Sequence, residues 1–199
     1  MRQVLCSAVC LLLAMNAPSA AAPESAYTKI DTQNGCTVTA QASEDEGGDW
    51  AELLCPGLGD YPVHLSYGDA RESLFYGFPP EGQPDGWESF GGFNSVSDTI
   101  EWRMEGGIPF ATIHRWTVSS GDPDKSVQVL VVEKVGQPGI HEGCVVGYVV
   151  ATGNPDHNQQ ARDLADAHAR DFACWRDEPL VRAGSVALPG VSRHRREPE

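Results

Sequence analysis

The chain has 199 residues, 41% of them apolar, and sets 14 basic against 28 acidic side chains for a formal net charge of −14. That composition fits one ordinary globular domain with tails and excludes a fibrous or wholly disordered chain. The acidity excludes nucleic acid, whose binding needs a basic face that displaces counterions, and equally excludes docking on anionic lipid.

Met1-Arg2 brings one positive charge, and the run from Val4 to Met15 is apolar apart from Ser7. Asn16-Ala17-Pro18 then breaks the run before the small residues Ser19-Ala20-Ala21-Ala22. This is the order of a secretory signal peptide, so residues 1–21 are read as an address removed after Ala21, with Ala20 and Ala22 as the alternative cleavage positions. Its apolar run is shorter than the roughly 20 residues of a spanning helix, and no membrane insertion is expected. The mature protein is expected to be periplasmic or secreted. It keeps Cys36, Cys55, Cys144 and Cys174, an even number in an exported chain, which reads as two disulfides. Of the three possible pairings, Cys36–Cys55 and Cys144–Cys174 close the shortest loops and are favoured. No CxxC pair and no histidine at zinc-finger spacing occurs, so neither metal nor cofactor is expected.

Residues 22–34 read as an ordered lead-in with Tyr27 and Ile30 as anchors. Strands are predicted over 36–40 and 50–55, joined by the acidic turn 44–49, and over 62–67 and 72–76 around Gly68-Asp69. Residues 77–92 are half Gly or Pro and read as a long loop. Thr99–Glu105, Gly106-Gly107 and Ile108–Val118 form the clearest hairpin, because a Gly-Gly turn admits the positive φ angles of type I′. A two-residue turn pairs Glu105 with Ile108, which sets Ile100 against Ile113, Trp102 against Ala111 and Met104 against Pro109 on one core face. His114 then falls on the opposite face, half exposed near Arg103. Ser126–Val135 and Cys144–Ala151 carry valine runs that need at least one buried face.

One helix follows. Asn154-Pro155 reads as an N-cap with proline at the first helical position, and Ala161, Leu164, Ala165, His168 and Phe172 share a face at helical spacing. The fold class is therefore α+β, mainly antiparallel β: a meander or barrel-like sheet of about 7–8 strands with one C-terminal α-helix packed on it. Residues 22–182 form a single disulfide-stapled domain. The stretch 183–199 lacks apolar periodicity and reads as a disordered tail.

No hydrolase elbow, metalloprotease helix, nucleotide loop or calcium loop is present. The segment 61–93 holds eight of the sixteen aromatic residues, and rings in a long loop suit stacking on a sugar, a peptidoglycan strand or a partner's side chain. The plainer alternative is that they staple the loop to the sheet. Asp69 and Arg71 place an acid and a base at a turn beside that segment. The predicted contact residues are Asp69, Arg71, Tyr76, Trp87 and Phe90, with no catalytic group assigned. Asp69, Glu72, Glu88 and Glu101 form an acid/base pair only if the fold brings two together at glycosidase spacing. His64 and His168 read as packing residues.

Tyr27-Thr-Lys-Ile-Asp31, Cys36, Trp50, Cys55-Pro-Gly57, Tyr61-Pro-Val63, Gly68-Asp-Ala-Arg71, Thr99-Ile-Glu-Trp-Arg103, Pro109-Phe-Ala-Thr-Ile-His-Arg115, Asn154-Pro155 and Ala161-Arg162 run through nearly the whole mature chain. In these segments the sequence resembles a family of exported proteins of Gram-negative bacteria to which no reaction is assigned. The resemblance implies export and a single domain. Acidity, export, a small β architecture and disulfides are also shared with periplasmic lysozyme inhibitors, whose Ser-Gly…Tyr inhibitory loop is not apparent in this chain. The expected function is a non-catalytic periplasmic binding module with a protein or glycan partner in the cell envelope. The alternatives are a carboxylate-pair hydrolase of the envelope and an acidic inhibitor of a basic lysozyme-like enzyme.

Overall fold

The computed structural model describes residues 22–43, 45, 47–80, 86–122 and 125–195. The expected signal peptide lies outside the described residues. Twelve strands and one helix are formed among them. A central six-stranded sheet has the order β1 (Glu24–Lys29), β7 (Asn94–Glu105), β8 (Ile108–Ser119), β9 (Ser126–Lys134), β10 (Cys144–Val150) and β11 (Leu180–Arg182). All its neighbours are antiparallel except β10 and β11. A four-stranded antiparallel meander, β2 (Thr37–Gln41), β3 (Ala51–Leu58), β4 (Tyr61–Gly68) and β5 (Arg71–Tyr76), packs on one face. Helix α1 (His157–His168) packs on the other face. The ribbon β6 (Gly86–Phe90) with β12 (Val191–Arg195) completes the set.

The class is α+β and mainly antiparallel, with one helix near the C-terminus. The sheets are open and stacked, however, and do not close into a barrel. The strand number exceeds the expected 7–8 because β1, β6, β11 and β12 have no hydrophobic alternation of their own. Their order comes from the neighbours they pair with.

The central sheet is buried on both sides, which is why β9 and β10 read as near-continuous valine runs. Towards the four-stranded sheet it presents Ile100, Trp102, Trp116, Val118, Val129, Val131 and Tyr148 against Val63, Leu65, Leu74 and Tyr76. Towards the helix it presents Ala111, Ile113, Leu130, Val132, Val146 and Val149 against Ala161, Leu164, Ala165 and Phe172. Gly147 makes the second packing possible, since a Cβ there would lie 2.6 Å from the Leu180 carbonyl and 2.8 Å from Leu164.

The hairpin turn is as expected: Glu105 pairs with Ile108 and Met104 with Pro109. A bulge then shifts the register, so that Arg103 meets Ala111, Trp102 meets Thr112, Glu101 meets Ile113 and Ile100 meets His114. One extra residue moves Ala111 and Ile113 to the helix side, leaving Ile100 and Trp102 on the inter-sheet side. It also reverses the expectation for His114, which is fully buried between the sheets.

Both favoured disulfides are formed, Cys36–Cys55 and Cys144–Cys174. The first joins β3 to the segment leading into β2, and the second ties β10 to the chain after α1. The helix begins later than expected: its N-cap is Asp156 and not Asn154, which instead sits two residues ahead, its Oδ1 accepting the Asp156 N–H while its Nδ2 donates to the Val150 carbonyl and Gln160. The helix face closes on Ala169 in place of His168, which is exposed at the last turn.

The stretch from 183 onward was expected to be disordered, but residues 191–195 form β12 on β6. Backbone pairing and the ion pairs of Arg193, from Nε to Glu88 Oε1 at 3.0 Å and from NH1 to Glu178 Oε2 at 3.4 Å, hold a strand that hydrophobic patterning cannot reveal. Val186 and Leu188 pack on the inter-sheet core.

Candidate functional site

The β4–β5 turn consists of Asp69 and Ala70, both with positive φ, 52° and 54°. Such values suit a two-residue hairpin, but Ala70 carries a Cβ that the left-handed region disfavours. The geometry is held from both sides: the Asp69 N–H donates to Asp49, and the Ala70 carbonyl accepts the Asn94 N–H at 3.1 Å. Arg71 closes the turn by donating from its NH2 group to Asp69 Oδ2 at 2.8 Å. Strain in a small turn that is locked in place is a common companion of a binding site.

Asn94 in turn fixes the approach to β7. Its Oδ1 accepts the Glu72 N–H, and its Nδ2 donates to Ser89 and to the Gly92 carbonyl. The Phe93 carbonyl accepts the Ser119 N–H, and the residue as a whole is 61% exposed. Phe93 stands on a cleft of about 450 Å³ that begins at Ala70 and runs along Asn94, Ser95, Thr117, Ser119 and Ser126, with Lys125 at its edge. The residues lining it include four with hydroxyl side chains, Ser95, Thr117, Ser119 and Ser126, around a single ring.

The predicted contact residues divide. Asp69 and Arg71 stand at the corner as an ion pair. Tyr76 and Phe90 do not reach a surface, and as partner contacts they are corrected. Tyr76 is enclosed edge-on to Trp102, and Phe90 packs edge-on to Trp116 and Tyr148. Trp87 is half-buried on β6, opposite His194 of β12. The loop aromatics therefore mostly staple the ribbon to the core, and the exposed one is Phe93, which sequence reading counted among the stapling rings and not among the contact residues. Gly91-Gly92 before it was the available signal, because a small-residue approach leaves the following side chain unsupported.

The four candidate acids are each engaged elsewhere. Asp69 faces Arg71. Glu72 accepts the Val96 N–H at 2.6 Å, and burial still pushes its carboxyl above the ordinary range. Glu88 holds Arg193 through Oε1 and the Val145 N–H through Oε2. Glu101 accepts Arg162 Nε and the Ser25 hydroxyl, both at 2.6 Å. Two of these backbone groups, on Val96 and Val145, lie where the ladder shifts register, so these carboxylates satisfy N–H groups that the sheets leave unpaired.

His64 is half-buried, edge-on to Phe75, and burial lowers its pKa. No group of three or more His, Cys, Asp or Glu side chains is placed to hold a metal among the described residues. None of the helices described is long and apolar enough to cross a membrane. No protein family, curated protein or solved structure matches this chain.

Proposed function

We propose that the chain is an exported, non-catalytic binding module of the periplasm that recognises a glycan of the cell envelope through the Phe93 cleft. The observation that carries this reading is the exposed Phe93 ring at a cleft lined by the hydroxyl side chains of Ser95, Thr117, Ser119 and Ser126. Flat sugar faces stack on such rings while their hydroxyls exchange hydrogen bonds with the walls. The two disulfides suit an oxidising compartment. The separate engagement of Asp69, Glu72, Glu88 and Glu101 weighs against a carboxylate-pair hydrolase, which needs two acids facing one bond.

A second reading rests on charge: an acidic exported module attracts basic proteins, lysozyme-like enzymes among them, by salt-dependent steering. Co-sedimentation with purified peptidoglycan sacculi separates the two. The glycan reading expects wild type and Trp87→Ala to sediment and Phe93→Ala to stay in solution. Retention of all three, or of none, removes the cleft from the glycan reading. Inhibition of a basic lysozyme that disappears in moderate salt favours the second.

A further inference from the structure

The β7–β8 hairpin places a different concavity at its other end. Each strand has 12 residues, so the two ends lie roughly 35 Å apart at about 3.3 Å per residue. Gly106 and Gly107, at φ 58° and 83°, make the tight turn that delivers Ile108, 56% exposed. The bulge beside Met104 leaves Phe110 on the helix side together with Ala111, and the β9–β10 connection brings in Ile140, 70% exposed. With Val135 these side chains wall a mainly apolar cavity of about 310 Å³, within the size range of small-molecule sites.

Arg170, just beyond α1, lays its guanidinium carbon 3.8 Å from the centroid of the Phe110 ring. Its Nε lies 2.9 Å from Glu105 Oε2, and its NH1 group donates to the Asp166 carbonyl. A guanidinium is flat and has two faces. One is taken by Phe110; the side chain is one-third exposed and lines the cavity, so the other face is open to an occupant.

The walls are set before anything binds. Gln137 donates to the Pro109 and Val135 carbonyls and accepts the Tyr61 hydroxyl. Lys134 Nζ bridges Glu142 and the Phe172 carbonyl, and Glu142 also accepts the Cys174 N–H. Little ordering is then required of the protein on binding. The rim's two cations each face a carboxylate, so the mouth offers no net charge to an ionic ligand. What remains electropositive is the open face of Arg170, which complements the negative face of a π ring.

We propose that this cavity binds a small uncharged aromatic compound, its ring stacked on Arg170 and flanked by Ile108 and Ile140. The site is separate from the Phe93 cleft and stands whether or not that cleft binds glycan. Indole is the probe, titrated into the isotope-labelled chain from residue 22 and followed by amide chemical shifts, with octanoate as the aliphatic comparator. Saturable indole shifts are expected at Ile108, Val135 and Ile140, with affinity at least fivefold weaker in Arg170→Gln and in Ile140→Glu. The second variant changes an exposed side chain and keeps the fold; unshifted β4 amides check the first. Octanoate binding more tightly than indole, and unaffected by Arg170→Gln, would overturn the proposal in favour of an acyl site. Concentration-dependent dimerisation abolished by Ile140→Glu, or no saturable shift with indole, would overturn it as well.

Discussion

The hydroxyl of Tyr76 lies 2.7 Å from Nδ1 of His114, in the layer between the two sheets, and neither residue has exposed surface. Nε2 of the same imidazole sits 2.7 Å from the Ser97 carbonyl. A carbonyl only accepts, so Nε2 carries the hydrogen and Nδ1 accepts from Tyr76. The arrangement suits a neutral ring, whose Nδ1 lone pair takes the hydrogen of Tyr76. Burial drives the His114 pKa down to about 4, opposed by the Ser97 carbonyl and the charge of Asp98. Burial likewise pushes the Tyr76 phenol well above its ordinary value, helped by the charges of Glu133 and Glu72.

His114 therefore makes stability depend on pH. The unfolded chain protonates this histidine near its ordinary 6.5, the folded chain only near 4. Its contribution is fully present above pH 6.5 and is lost as pH falls towards 4, by up to about 3 kcal/mol at 1.36 kcal/mol per pH unit. Urea denaturation between pH 7.5 and 4.5 should show this loss in wild type. His114→Gln should be less stable at pH 7 yet flatter across the window. A wild-type profile as flat as the variant's would show that His114 does not titrate with unfolding.

Ala70 holds a left-handed conformation that glycine adopts without penalty. Ala70→Gly is expected to stabilise by about 0.5–1 kcal/mol, the relieved strain exceeding the added freedom of the unfolded chain. Thermal melting checks it; a lower midpoint would mean that the turn is not strained.

Two ion pairs should differ sharply in worth. Arg103 is buried and donates twice to Asp166, from Nε at 2.9 Å and NH2 at 2.7 Å, fixing α1 to the central sheet. Asp166→Ala strands a buried guanidinium and is expected to cost about 3 kcal/mol. Lys29 and Asp98 pair at 2.6 Å with both side chains about two-thirds exposed, and Lys29→Ala should change stability by less than about 0.5 kcal/mol. Equal costs in denaturant titrations would contradict the burial argument.

Strand β12 is expected to matter to the fold. Arg193→Ala removes an ion pair at 3.0 Å from the mostly buried Glu88 carboxylate, costing about 1–3 kcal/mol, and truncation after Gly190 also unpairs β6. Hydrogen exchange at the Gly86–Phe90 amides should accelerate in both variants. Unchanged exchange would return the tail to the disordered state that its composition suggests.

Sequence made visible what local chemistry decides. The disulfide pairing followed from short loops, the Gly-Gly hairpin from its turn, and the double burial of β9 and β10 from their valines. Tertiary effects stayed hidden. The bulge between Arg103 and Met104 sent Ala111, Ile113 and His114 to faces that simple alternation denies them. Strands β6 and β12 exist because each completes the other. At the candidate cleft, Asp69 and Arg71 were legible as a turn pair, whereas Phe93 emerged through the anchoring of Asn94, which no sequence pattern encodes.

The most direct measurement is a titration of the isotope-labelled chain with soluble peptidoglycan fragments, read residue by residue. Binding at the Phe93 cleft is expected to move the amides of Asn94, Ser95, Thr117 and Ser119 saturably, leave those around Ile140 in place, and disappear in Phe93→Ala. Saturable shifts confined to other surfaces, or unchanged affinity in Phe93→Ala, would contradict it.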